Sequence, residues 1–160
     1  MNLKTVKTKE DIIALEALAS KIWKTYWVKM LTKEQVEYMF DKFQSARAIE
    51  EQISQGYTYK ALGDIGYFAV LDLKDHLYLS KIYLDEEFRS KGFGKTMLKD
   101  VINMGKKLNL PKIRLNVNKY NVNTIKAYEN WGFRIMESVV IDIGQGFVMD
   151  DYVMELNLNT

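Results

Sequence analysis

Leu77-Tyr78-Leu79-Ser80-Lys81-Ile82-Tyr83-Leu84 leads through Asp85-Glu86-Glu87-Phe88 into Arg89-Ser90-Lys91-Gly92-Phe93-Gly94-Lys95-Thr96. An apolar strand thus feeds an acidic turn and then a basic, glycine-rich loop. From Gly94 onward Met97, Leu98, Val101, Ile102, Gly105 and Leu108 recur at helical spacing, so the loop opens a helix. A helix start carries unsatisfied N–H groups and the positive end of the dipole, which suit phosphate groups. Glycine lets the backbone approach such a ligand, and Arg89, Lys91 and Lys95 add countercharge. A solvated strand-to-helix turn is the alternative reading of this pattern alone. Two nucleotide-binding readings fail on spacing: a P-loop ending at Gly94-Lys95-Thr96 needs glycine at position 89, which is Arg89, and a dinucleotide fingerprint from Gly92 needs glycine where Met97 stands.

Within the strand, Leu77 and Leu79 share one face while Ile82 and Leu84 share the other, so the alternation changes phase at Ser80-Lys81. A β-bulge there would flip the face and leave backbone groups open to an extended, amide-containing ligand. A strand buried on both faces, with no bulge, explains the same pattern.

Working outward, Leu3 to Val6 predicts a short strand. Ile12, Leu15, Ala19, Ile22, Trp23 and Tyr26 predict an amphipathic helix after Thr8. Thr32 opens a capping box before Val36, Met39, Phe40 and Phe43, and a third helix passes through Ile49 and Ile53 to Gly56. Residues 57–62, 65–73 and 77–84 read as three strands joined by tight turns. After the glycine-loop helix and Pro111 come a strand over 113–117, a helix over about 121–131 stopped by Gly132, and closing strands over 133–143 and 152–158. The order β-ααα-βββ-α-β-α-ββ predicts an α/β fold, a mainly antiparallel central sheet flanked by helices. One domain over 1–160 is expected, with helices in 1–56, the meander and loop-helix in 57–110, and the last helix and closing strands in 111–160.

Lys and Arg number 23 against 21 Asp and Glu, a net charge of +2, so nothing points to a nucleic-acid partner. The chain has no cysteine, which excludes disulfides, thiolate metal sites and a cysteinyl acyl-enzyme. A single histidine, His76, excludes a multi-histidine metal centre and reads as a surface residue in a turn. No apolar run approaches the ~20 residues that span a bilayer, so a soluble, cytoplasmic protein without membrane partners is expected.

Arg89-x-x-Gly92-x-Gly94 resembles the pyrophosphate-binding motif of the GNAT acyltransferases. Leu115-x-Val117-x-x-x-Asn121, followed by Ala127-Tyr128-Glu129-Asn130-Trp131-Gly132-Phe133, is similar to that family's second block. The two motifs stand in the family's order, and the resemblance covers residues 57–158. It implies an acyl-CoA N-acyltransferase fold and acetyl transfer from acetyl-CoA to a primary amine, without a metal. Pantetheine would lie along Ile82, Tyr83 and Leu84. The diphosphate would lie on Arg89, Ser90, Lys91, Gly92, Phe93, Gly94, Lys95 and Thr96, with Asn121 on the donor arm.

Tyr128 matches the residue that protonates the departing thiolate, a role that fits a phenol of pKa ~10. Many relatives carry a carboxylate on the bulged strand where this chain has Ser80 and Lys81, so the base is unassigned; Asp85, Glu86 and Glu87 read mainly as a solvated turn. Trp23, Tyr26, Trp27, Tyr38 and Met39 would wall an acceptor cleft or pack the core. Gly146 to Tyr152 resembles a segment of bacterial spermidine/spermine-type acetyltransferases, in which Asp150 and Asp151 would receive an ammonium; a charged hairpin tip is the alternative. A terminal strand arm makes a homodimer an expectation. The competing reading is a non-catalytic acyl-CoA sensor on the same fold.

Overall fold

The computed structural model describes residues 2–159. The chain forms two compact units, Met1–Leu71 with Lys81–Asp100, and Asp72–Ser80 with Val101–Thr160. The first holds β1 (Leu3–Thr5), α1 (Lys9–Trp27), α2 (Lys33–Phe43), α3 (Ala46–Ser54), β2 (Thr58–Leu62) and almost all of β3 (Gly66–Asp72). Strand β4 (Leu77–Leu84) and helix α4 (Phe93–Lys107) each begin in one unit and end in the other. The second unit adds β5 (Lys112–Asn118), α5 (Val122–Asn130), β6 (Arg134–Gly144) and β7 (Phe147–Asn157). This is the anticipated α/β order.

In the first unit the strands run β1-β2-β3-β4. β1 pairs antiparallel with β2, Leu3 opposite Leu62, and β2 with β3, Thr58 opposite Val70. Helix α1 starts where Thr8 accepts from the Asp11 amide at 3.1 Å while the Asp11 carboxylate accepts from the Thr8 amide at 3.1 Å. That reciprocal cap satisfies donors the first turn leaves open. The apolar stripe Ile12, Leu15, Leu18, Ala19 and Ile22 is buried against Ile49, Tyr59, Tyr67 and Ala69, each large aliphatic contributing about 1.5–3 kcal/mol by leaving water. Thr32 and Ser45 cap α2 and α3 by accepting from Gln35 and Ala48 amides at 3.2 Å.

Buried polar groups in this unit are tied together. The Tyr67 hydroxyl donates to Gln44 Oε1 at 2.8 Å and the Tyr59 hydroxyl to Gln52 Oε1. Lys81 Nζ donates to the Phe43 carbonyl at 2.6 Å, at the C-terminal end of α2, and lies 5.1 Å from the centre of the Tyr59 ring. A cation on the last carbonyls of a helix meets the negative end of its dipole.

In the second unit the order is β4-β5-β7-β6. Leu77–Leu79 pair in parallel with Ile113–Leu115, while β5–β7 and β6–β7 are antiparallel.

Three expectations need correction. The last strand begins at Phe147 rather than at 152, because Gly144, Gln145 and Gly146 all take positive φ (98°, 53° and 81°) and close the hairpin tightly. Burial along β4 alternates through Leu77, Leu79 and Lys81, so the inward face does not flip at Ser80-Lys81; a lysine carries it on. His76 is buried at the base of the β3–β4 turn, where its carbonyl accepts from the Leu73 amide and its Nδ1 lies 2.7 Å from Asp75 Oδ1.

Candidate active site

In the first unit the acidic turn is less solvated than its composition implies. Asp85 is buried, ion-paired with Lys21 at 2.8 Å, and accepts from the Glu87 amide, capping a single 3₁₀ turn over Glu86–Phe88. The Lys21 contact holds the Asp85 carboxyl below its usual range. Glu86 and Glu87 are exposed as expected. This turn fixes where the loop departs.

Arg89, Ser90, Lys91, Gly92, Lys95 and Thr96 are exposed, while Phe93 and Gly94 are half-buried. Ser90 and Gly92 take φ of +63° and +87°, so the backbone folds back on itself before α4 begins. Nothing lies within 4 Å of where a Gly92 Cβ would stand, so the chain there is open on its outer side. The Thr96 amide and hydroxyl both point back to the Gly92 carbonyl at 3.1 Å. The first turn of α4 contains no acid and does contain Lys95, an unfavourable charge for the positive end of a helix unless an anion lies between them.

The backbone of Ile82, Tyr83 and Leu84 ends β4, and the Tyr83 ring enters an aromatic cluster. Its centroid lies 5.5 Å from Trp23, 5.8 Å from Tyr26 and 5.7 Å from Tyr67. Trp23 and Trp27 are buried, with the Trp23 indole N–H donating to the Val36 carbonyl at 3.2 Å. Tyr26 is half-buried, and the Arg89 guanidinium lies 5.1 Å from its ring centre. The structure therefore joins the expected diphosphate arginine to the expected acceptor-side aromatics.

In the second unit Asn121 precedes α5, its amide bonded to the Asn118 carbonyl and its side chain making no capping hydrogen bond. Tyr128 is buried on α5, its ring 5.4 Å from Phe133 and 6.0 Å from Trp131. Asp150 and Asp151 lie within β7 rather than at a hairpin tip. Lys119 pairs with Asp150 at 2.7 Å. Asp151 is 1% exposed and neither carboxylate oxygen has a hydrogen-bond partner. Burial, with the neighbouring Asp150 charge, pushes its carboxyl up to about 6.

Sequence reasoning missed Lys81, whose burial lowers its ammonium to about 7. A lysine in a strand ordinarily reads as outward-facing; the signal was its place in the Leu77-Leu79 phase. Among the described residues no cluster of three or more His, Cys, Asp or Glu is arranged to hold a metal ion, and no helix is long and apolar enough to cross a membrane.

Residues 28–156 match the family described as acetyltransferase (GNAT) domain. The chain belongs to the GNAT acetyltransferases. It is 23% identical over 150 residues to the spermidine N(1)-acetyltransferase of Thermoplasma acidophilum, covering 88% of this chain and 91% of that one. It is 24% identical over 119 residues to the spermine/spermidine N(1)-acetyltransferase of Bacillus subtilis, covering 65% and 76%. A plant relative, the L-ornithine N5-acetyltransferase NATA1 of Arabidopsis thaliana, is 34% identical over 64 residues, and the match spans only 28% of its length. Among solved structures, the PaiA N-acetyltransferase from Thermoplasma acidophilum in complex with coenzyme A has a TM-score of 0.78 at 21% identity, covering 98% of this GNAT chain and 99% of its own.

Proposed function

We propose that this GNAT chain transfers the acetyl group of acetyl-CoA to a primary amine in a ternary complex, with Tyr128 as the acid that protonates the leaving thiolate. The observation that carries the reading is the α4 start: cations without an acid, a left-handed Gly92 with open space beside it, and Arg89 held on an aromatic ring. Those groups suit the diphosphate of coenzyme A, and the structural neighbour PaiA is described with coenzyme A. The parallel ladder between β4 and β5 is three pairs long and ends at Leu79. The backbone of Ile82, Tyr83 and Leu84 beyond it is proposed as the rail for the pantetheine amides, with Asn121 on the same arm.

The amine nitrogen attacks the thioester carbonyl and the C–S bond breaks. The sulfur takes the Tyr128 proton. With no cysteine in the chain, a thiol relay is absent from the route. Spermidine and spermine head the acceptor candidates because two relatives are named for them. The cysteine-free composition suits the reducing cytoplasm.

The test is an acetyl-CoA-dependent thiol-release screen across polyamines, amino acids and peptide amines. Tyr128→Phe is expected to bind coenzyme A with unchanged Kd while kcat falls about 10²- to 10⁴-fold, the span typical of general acid catalysis. Coenzyme A binding with no thiol release from any amine would leave a sensor rather than an enzyme.

A further inference from the structure

A primary alkylammonium has a pKa near that of lysine, ~10.4, so only about one molecule in 2,500 is a neutral nucleophile at pH 7. The proposed reaction therefore needs a group that takes the acceptor's proton. The strand position where a carboxylate would be sought holds Ser80 and Lys81, and Lys81 Nζ is buried and bound inside the first unit to the Phe43 carbonyl and Gln52 Oε1.

Two carboxylates are buried among the described residues, Asp85 and Asp151. Asp85 is spent: Lys21 holds one oxygen at 2.8 Å and the Glu87 amide the other at 3.2 Å. Asp151 is not. Its cross-strand neighbours are Asn118 on β5 and Val139 on β6. Asn118 Oδ1 accepts from the Tyr120 amide, its amide nitrogen makes no bond to Asp151, and valine offers no donor. The cation beside it, Lys119, is bound to Asp150. Further along the same face of β5 and β7, Arg114 is closed onto Glu155 at 2.6 Å. A buried carboxylate with neither oxygen hydrogen-bonded is a costly arrangement, and such groups in native proteins call for a ligand or a chemical role.

Resting on the acetyl-transfer reading, we propose that Asp151 is the general base, accepting the proton from the acceptor's ammonium as its nitrogen attacks the thioester carbonyl. One ammonium proton moves to Asp151 Oδ, the freed nitrogen lone pair forms the C–N bond as the C–S bond breaks, the sulfur takes the Tyr128 proton, and the second proton shed by the nitrogen restores the Tyr128 phenol, so charge and atoms balance. A carboxyl titrating near 6 is ionised at neutral pH and still basic enough to receive the proton. The ammonium in turn supplies the donor that the folded chain withholds from Asp151.

The experiment compares wild type with Asp151→Asn in three measurements: thiol release from acetyl-CoA and spermidine between pH 5.5 and 9.5, coenzyme A binding by calorimetry, and thermal midpoint. Wild-type kcat/KM is expected to level off above the Asp151 titration. Asp151→Asn should lose at least 100-fold at pH 7 and then rise about tenfold per pH step, as only amine neutralised by solvent reacts. Its coenzyme A affinity should match wild type and its thermal midpoint at pH 7.5 should be no lower. An equal loss at every pH with a lowered midpoint means a structural role and overturns the assignment, as does a variant that turns over like wild type. Asp151→Glu, which keeps the base, should recover part of the rate while retaining the wild-type profile. A wild-type chain that releases no thiol from any amine overturns the acetyl-transfer reading along with it.

Discussion

Replacing Lys81 by methionine tests whether the first unit holds an amine against its own solvation. Burial moves this lysine from 10.5 to about 7; at about 1.4 kcal/mol per tenfold change in proton affinity, the ammonium form is disfavoured by up to about 5 kcal/mol. The Phe43 carbonyl, 2.6 Å from Nζ, offsets part of that, so the figure is a ceiling. The sign follows from proton binding: the unfolded lysine holds its proton up to pH 10.5 and the folded one releases it near 7. The unfolded state therefore binds more protons in between, and stability rises with pH.

Between pH 7.5 and 9.5 the gain is about 2 to 3 kcal/mol, or roughly 5 to 10 °C in thermal midpoint for a chain of this size. Above pH 10 the trend reverses, because burial holds the Tyr59 and Tyr67 phenols above their ordinary range and the unfolded phenols ionise first. Urea denaturation followed by circular dichroism at half-unit pH steps reads the curve. Lys81→Met should be flat between pH 7.5 and 9.5 and lose about 0.5–1.5 kcal/mol above pH 9.5, because the Phe43 carbonyl loses one donor and keeps Gln52 Nε2 at 3.3 Å. A wild-type stability that does not climb in that window refutes the reasoning.

Three further outcomes are expected. Relative to Asp151→Asn, wild-type stability should fall by about 2 kcal/mol as pH rises from 4 to 6 in the same urea titration, because folded Asp151 keeps its proton to about 6 while the unfolded carboxyl releases it at 3.8. Gly92→Ala strains a φ of +87° by about 1 kcal/mol without a clash, so its thermal midpoint should drop slightly while coenzyme A affinity falls more than tenfold in calorimetry. Tyr26→Leu removes the ring under Arg89 and should raise the coenzyme A Kd about 2- to 5-fold, whereas Tyr26→Phe should leave it unchanged.

Much of the architecture was legible because local rules agree. Thr8, Thr32 and Ser45 stand where caps are needed, the apolar residues of α1 recur at helical spacing, and Gly56 and Gly132 stop helices on cue. The turn into α4 was legible because Gly92 and Gly94 stand just before a run of apolar residues at helical spacing. Other features depend on tertiary choices that spacing does not encode. Lys81 sits inward because the Leu77-Leu79 register continues and α2 ends above it, and β7 starts early because a non-glycine, Gln145, takes positive φ between two glycines. The two-unit division left no trace in composition, since β4 and α4 run through both units and no proline- or glycine-rich linker lies between them.

The Arg89–Tyr26–Trp27 contact series gives the protein a built-in optical gauge. The guanidinium lies 5.1 Å from the phenol ring centre, and that ring meets the Trp27 indole at 5.1 Å. A phosphate that settles on Arg89 alters the electrostatic surroundings of an indole one ring removed, so intrinsic emission should report occupancy of the glycine loop without a dye, a tag or turnover.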